Sequence, residues 1–317
     1  TNALICRPPR NRKPTDREIE ACRPNLMKAI KKANPNVIVL LGEVAGKSLL
    51  TPIWGTDIGK IGRWAGWAIP CTDPNVWIVP TYHTSYILRQ SRDVVLAKMF
   101  KSHLKLAVQK AESKPWKEIP DYKSQVEVIM RPSEAAKALW DFRCFLYYEP
   151  DALMSFDYET NCLKPDGKGP EIVSCSVCWN GKRTIAYPWQ GEAIEATSEL
   201  LKSSIPKIAA NLKFEERWTM AKLGHRVRNW YWDTMLAAHV LDNRSGITSL
   251  NFQAFVQLGQ PPYDKHIKPF LKSQSKSNRF NRIKELDLKD LLLYNGMDSL
   301  LEYKLAKIQM RQMRKLK

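Results

Sequence analysis

Asp157 and Glu159, one residue apart in Ser155-Phe156-Asp157-Tyr158-Glu159-Thr160, close an otherwise apolar stretch. The two-residue period of a strand puts both carboxylates on one face, where both reach a single cation. Like charges this close repel, and a divalent metal removes that penalty. A solvated strand end would carry the same Asp-x-Glu, so the pair alone decides nothing. Two more segments supply acids. Ile208-Ala209-Ala210-Asn211-Leu212-Lys213-Phe214-Glu215 reads as a short apolar strand running into a helix, and Trp232-Asp233-Thr234-Met235-Leu236 opens the next helix. In Tyr294-Asn295-Gly296-Met297-Asp298 the first and last residues share a helix face one turn apart. Oxygen ligands of this kind suit Mg²⁺ or Mn²⁺. Cys175 and Cys178 have metal-ligand spacing but lie in a strand-like run, where positions i and i+3 face opposite ways, and they read as core or edge residues.

The elements that must hold these residues alternate between strand and helix. An apolar run over 37–42 ends in Gly and leads into a helix, and a second strand is expected at 76–79. Pro, charge and a loss of periodicity at 112–123 read as a linker. Beyond it, 126–130 and 153–158 are expected as strands, with a helix over 132–146 between them. Two strands, at 172–179 and 184–187, form a hairpin around Asn180-Gly181. Helices are expected at 198–201, 215–223, 234–241 and 288–308. The fold class is therefore α/β, in two domains at 1–111 and 124–317, the second with a mixed sheet.

At 317 residues the chain has room for two cores of ordinary size. Lys and Arg total 50 against 32 Asp and Glu, a net +18 that favours a polyanionic partner. Seven scattered cysteines indicate a reduced compartment. No apolar run reaches the roughly 18 residues of a membrane span, and no secretory leader opens the chain, so a cytoplasmic protein without a membrane partner is expected. The missing initiator Met and the basic helical end read as a segment of a longer polypeptide.

In this order, the acidic segments resemble the three exonuclease motifs of the proofreading domain in family A DNA polymerases, over residues 124–317. That resemblance implies a ribonuclease H-like fold and the DEDDy subclass, with a 3′→5′ exonuclease activity on single-stranded DNA and 3′ primer termini. It implies Asp157 and Glu159 as first-motif ligands, Glu215 at the second-motif acid, Asp298 as third-motif ligand and Tyr294 as the residue orienting the attacking water. Two Mg²⁺ (or Mn²⁺) ions about 3.5–4 Å apart would activate the water and stabilise the leaving 3′ oxygen. Asp157 would bridge them, Glu159 and Asp298 would fix one, and Glu215 would act through the other. The family usually has Asp where this chain has Glu215, one methylene longer. Asp233 is either a substitute ligand or a helix N-cap. Asn211 either orients the substrate or caps the strand end. The segment 264–287, with Lys265, Lys268, Lys272, Lys276, Arg279, Arg282 and Lys284, is a solvated loop or a contact for single-stranded DNA, with Phe270 or Phe280 to stack.

In the first half, Cys6-Arg7-Pro8-Pro9-Arg10-Asn11-Arg12, Glu20-Ala21-Cys22-Arg23-Pro24 and Pro80-Thr81-Tyr82-His83 resemble the latter two thirds of a family-4 uracil-DNA glycosylase. An incomplete α/β/α glycosylase-like domain is implied over residues 1–111, with Asn2 matching the uracil-reading Asn and His83 the transition-state histidine. Thr84 replaces the usual Pro. Cys6 and Cys22 match the last two of four [4Fe-4S] ligands, and a cluster is expected only if the missing cysteines are supplied. Arg7, Arg10, Arg12, Lys13 and Arg89 offer phosphate contacts. A glycosylase-like domain followed by a DEDDy exonuclease resembles the front portion of certain bacteriophage family A DNA polymerases, which implies a polymerase domain in the full-length protein and, if phage-encoded, the host cytoplasm. A non-catalytic DNA-binding module and a uracil-DNA glycosylase are the alternatives.

Overall fold

The computed structural model describes residues 1–146, 149, 152–181, 183–272 and 279–316. They form two compact units, one of Thr1–Pro120 with Arg244–Gly246 and Asn251–Pro262, the other of Asp121–Asn243, Ile247–Leu250 and Tyr263–Lys317.

The first unit begins with α1 (Asp16–Ala33), whose Thr15 and Glu18 form a reciprocal capping box. The β-branched run of β1 (Val37–Leu41) leads into α2 (Gly42–Trp54). Gly42 makes that turn at φ 82°, and a Cβ there would meet His83 Cβ at 2.9 Å, so glycine is required on both counts. Next come β2 (Ile69–Cys71), β3 (Val76–Thr81), α3 (Thr84–Arg89) and α4 (Val94–Lys110). The sheet order is β1-β3-β2, with β1 and β3 parallel.

The second unit runs β4 (Val126–Val128), α5 (Pro132–Leu146), β5 (Met154–Thr160), β6 (Ile172–Trp179), β7 (Arg183–Pro188) and α6 (Glu192–Lys202). It continues with β8 (Lys207–Ala209), α7 (Leu212–Leu223), β9 (Trp230–Asp233), α8 (Thr234–Leu241), α10 (Lys268–Leu271) and α11 (Leu288–Arg314), while α9 (Leu250–Leu258), which follows α8 in the chain, belongs but for Leu250 to the first unit. Its sheet is mixed, in the order β4-β7-β6-β5-β8-β9, with β5 antiparallel to β6 and parallel to β8. Alternation along the strands divides the labour between its faces. Met154, Phe156 and Tyr158 of β5, with Cys175, Val177 and Trp179 of β6, join residues of α5 and α6 in one apolar core. The opposite face carries Ser155, Asp157 and Glu159, beside Ser174 and Ser176, and takes α11. There the Ser155 hydroxyl donates to Ser299 O at 2.6 Å and the Ser176 hydroxyl to Asn295 O at 2.7 Å. Small side chains let the helix lie close, and Gly296 continues that logic: a Cβ there would meet Val126 Cγ1 at 2.3 Å.

Two parts of the expected organisation differ. Residues 112–120, expected in a linker, belong to the first unit. Asn75 Nδ2 donates to Trp116 O at 2.8 Å and Lys114 Nζ to Asn34 Oδ1 at 3.0 Å, so polar bonds fasten a stretch whose composition suggests freedom. Segments 244–246 and 251–262, expected within 124–317, also belong to the first unit. Phe252 and Phe255 pack with Trp54 and Trp64 there at centroid separations of 5.0–6.1 Å. Arg244 Nη1 donates to Gly62 O and Ala65 O at 2.8 and 2.7 Å.

Candidate active site

Strand β5 and helix α11 bring together Asp157, Glu159 and Asp298, each with an oxygen within 4.8 Å of the others'. Among the described residues this is the one group of three or more potential metal ligands that close. It joins the Asp157–Glu159 pair to Asp298 across 139 residues of sequence, as one β-face packs on one helix. Asp157 is half-buried, while Glu159 and Asp298 are only 9% and 8% exposed.

A polar shell fixes these carboxylates. Asn295, fully buried and one turn before Asp298, donates from Nδ2 to Asp157 Oδ2 at 2.7 Å and is held in turn by the Ser174 hydroxyl at 2.9 Å. The Tyr263 hydroxyl donates to Asp298 Oδ1, and its ring lies 5.8 Å from that of Tyr294. Burial, then the charges of Asp298 and Glu159, push the Tyr294 phenol well above its ordinary value, so it stays protonated at neutral pH. A protonated phenol can orient a water but cannot take its proton.

Glu215 sits in the first turn of α7 and is 1% exposed. It lies outside the tight group of three, and its Oε2 has no hydrogen-bond partner. The turn that delivers it is clamped by acids. Asp233 accepts from the backbone N–H groups of Asn211 and Leu212 at 3.2 and 3.1 Å, and from those of Met235 and Leu236 at 2.9 and 3.0 Å. Asp233 is therefore the N-cap of α8 and a tie to the start of α7, which commits its lone pairs away from a metal. Asn211 takes the left-handed backbone at φ 66° where α7 begins, with no side-chain cap bond. Glu302, unanticipated from sequence, is buried at the same turn and accepts from Ala210 N–H at 3.1 Å.

Electrostatics alone make the arrangement unfavourable without cations. Burial, then Asp298, raises the Asp157 carboxyl well above its usual range, against the Asn295 bond that lowers it. Burial and three neighbouring acids raise Glu159 likewise, and burial followed by Asp157 raises Glu215. Asp298 is pushed up to about 7 by burial, with Tyr263 and Tyr294 opposing. An all-oxygen donor set, mutual repulsion and the orphaned Glu215 Oε2 fit a hard divalent metal, whose charge would reverse each of these shifts. This is a metal-dependent active site.

The basic segment is fastened next to it. Asn281 Nδ2 donates to Thr160 O at 2.9 Å, directly after Glu159, and Asn281 N donates to Asn161 O at 2.8 Å. Lys265, Lys268, Lys272 and Arg279 are all exposed, with Lys268 Nζ 2.9 Å from Asp264 Oδ2. Lys276 lies outside the described residues. Phe280 is exposed, and the Arg282 guanidinium lies 5.0 Å over the Phe270 ring. Cys175 and Cys178 are fully buried in β6.

In the first unit, Asn2, Cys6, Arg7 and His83 line one cleft of about 590 Å³. His83 is exposed and caps α3, its Nδ1 accepting from Ser85 N–H at 3.1 Å. Cys6 and Cys22 are free thiols, exposed and partly exposed.

Comparison with known proteins finds one family model over each half of the sequence. The uracil DNA glycosylase superfamily model matches residues 1–112. Over 90 residues the chain is 33% identical to a type-4 uracil-DNA glycosylase of Archaeoglobus fulgidus, covering 28% of this chain and 45% of that protein. The Thermotoga maritima enzyme is 37% identical over 95 residues, covering 28% and 43%. The chain thus spans about half the length of the curated relatives it matches. Among solved structures, Brucella melitensis NrnC superposes with a TM-score of 0.40 at 17% identity, covering 51% of this chain and 74% of that one. The 3′–5′ exonuclease model of the polymerase A type matches residues 133–313, more than half of the chain, and the chain belongs to that family.

Proposed function

We propose that this chain removes 3′-terminal nucleotides, as monophosphates, from single-stranded or frayed DNA, and that it is the proofreading part of a family A DNA polymerase of the kind found in bacteriophages. The convergence of Asp157, Glu159 and Asp298 within 4.8 Å carries this reading. Two Mg²⁺ or Mn²⁺ ions bound by these acids and Glu215 would make water nucleophilic near neutral pH and stabilise charge on the departing 3′ oxygen. The residues themselves contribute position. Asn295 fixes Asp157, Tyr263 fixes Asp298, and the Tyr294 hydroxyl, protonated at neutral pH, orients the attacking water. Lys265, Lys268, Lys272 and Arg279, with Asn211, would hold the strand through its phosphates. Release of nucleoside 5′-monophosphates from 3′-labelled single-stranded DNA in Mg²⁺, and its loss in Asp298→Asn, tests the assignment; release of a 3′-monophosphate would refute it.

One observation favours a second role for the first unit. Asn2 and His83, far apart in sequence, line the same cleft, with Cys6 and Arg7 at its wall. The reading is of a DNA-holding site built on a glycosylase frame. Uracil excision by this chain is its stronger form, and abasic-site formation on uracil-containing DNA that is abolished by His83→Ala would establish it. A [4Fe-4S] cluster at Cys6 and Cys22 requires two further thiolates.

A further inference from the structure

Glu302 has no part in the chemistry described so far. It lies one turn beyond Asp298 on α11 and is 1% exposed. Its Oε1 accepts from Ala210 N–H at 3.1 Å, in the turn that leads to Glu215, and its Oε2 has no partner. Glu215 Oε2 is orphaned in the same way, behind a side chain equally buried. Among the described residues no Lys, Arg or His forms an ion pair with either acid. One turn from Asp298 and bonded to the turn that leads to Glu215, Glu302 stands near enough to the centre for the charges of Asp157, Glu215 and Asp298 to act on it.

A carboxylate buried without a countercharge is strongly destabilising. Anchoring the Ala210 turn does not explain it, because Gln offers the same carbonyl acceptor without a charge. Packing does not explain it either, since an apolar side chain would fill the space at lower cost. What remains is a need for negative charge. Glu215 and Glu302 both lie outside the tight Asp157–Glu159–Asp298 group, so they serve a position adjacent to it. We propose that Glu302 is a fifth carboxylate of the metal centre, acting with Asp157 and Glu215 on the divalent cation outside the tight group. The facing helix thus supplements Glu215.

This inference rests on the exonuclease reading, and Mn²⁺ calorimetry on the full chain separates the two. The wild type is expected to bind two Mn²⁺ ions; binding of none overturns both. Glu302→Gln is expected to weaken one of the two by about 10–100-fold and leave the other unchanged. In chelator the same variant is expected to melt above the wild type, having lost an uncompensated buried charge. Wild-type binding of both ions by Glu302→Gln would overturn the role of Glu302 and leave the exonuclease reading intact. Glu302→Asp, which keeps the charge but shortens the reach to Ala210, guards against a Gln variant that fails to fold. It is expected to bind the second ion more tightly than Gln does, and weaker binding than Gln would count against the proposal.

Discussion

Asp298 shows how one side chain can be both identifiable and incompletely understood from sequence. Its four-residue offset from Tyr294 puts the two on one helix face, a property of the helix that the sequence alone shows. The Tyr263 hydroxyl that orients it comes from a segment 35 residues away, with no periodicity to tie the two together. Glu302 lies between these cases: one further turn along α11 puts it on the same face, but its burial comes from packing against the end of β8, which its neighbours in sequence do not signal. Asp157, Glu159 and Glu215 were legible because each ends an apolar strand or opens a helix. Replacing Tyr263 with Phe removes one hydrogen bond to a charged group and leaves the ring in place. By the usual worth of such a bond, kcat is expected to fall about 10-fold or more with KM little changed, as read from steady-state kinetics on a single-stranded oligonucleotide. A rise in KM alone would instead make Tyr263 a substrate contact.

The elements serve the site through their junctions. Asp233 ties the start of α7 to the start of α8 by accepting four backbone N–H groups. Asp233→Ala is expected to cost about 2 kcal/mol or more in urea unfolding, with Asn restoring part of it. Gly296 lets α11 lie against β4 and β7, and Gly296→Ala is expected to destabilise by about 1–3 kcal/mol in the same measurement. The strands around the acidic pair were readable from their alternation and from the Asn180-Gly181 turn. Other elements were not. Helix α1 carries Pro24 within it, which breaks the periodic signal. Helix α6 runs from Glu192 where 198–201 was expected, since it starts on Gly191 at φ 54° without a capping side chain. Strand β9, at Trp230–Asp233, presents aromatic residues that read as the approach to a helix.

For the molecule as a whole, two α/β units and a mixed sheet could be read from the order of strands and helices. The interleaving of the units could not, because membership depends on where an aromatic side chain finds its partners. Phe252 belongs to the exonuclease half of the sequence and is fully buried in the first unit against Trp54 and Trp64. Phe252→Ala is therefore expected to destabilise the first unit by about 3–5 kcal/mol, visible as a lowered transition in Trp fluorescence. Charge acts at this scale too. Asp298, near 3.9 in an unfolded chain and raised to about 7 here, binds its proton more tightly when folded. Metal-free protein is thus expected to lose stability as pH rises from about 4 to about 7, the part of the range where the folded state holds the extra proton. Saturating Mn²⁺ is expected to abolish or reverse that slope, because the cation favours the ionised acids. Melting curves across this range, with chelator and with Mn²⁺, measure it. No helix among the described residues is long and apolar enough to cross a membrane.

The most direct test concerns the acid that belongs to every part of the site. A 5′-labelled single-stranded oligonucleotide, incubated with the full chain and Mn²⁺, is expected to shorten from its 3′ end in single-nucleotide steps. Chelator is expected to stop the reaction, and Asp157→Ala to reduce it by at least about 1,000-fold, the scale set by losing a ligand charge from a metal-dependent site. Shortening that persists at the wild-type rate in Asp157→Ala would contradict the assignment of this centre.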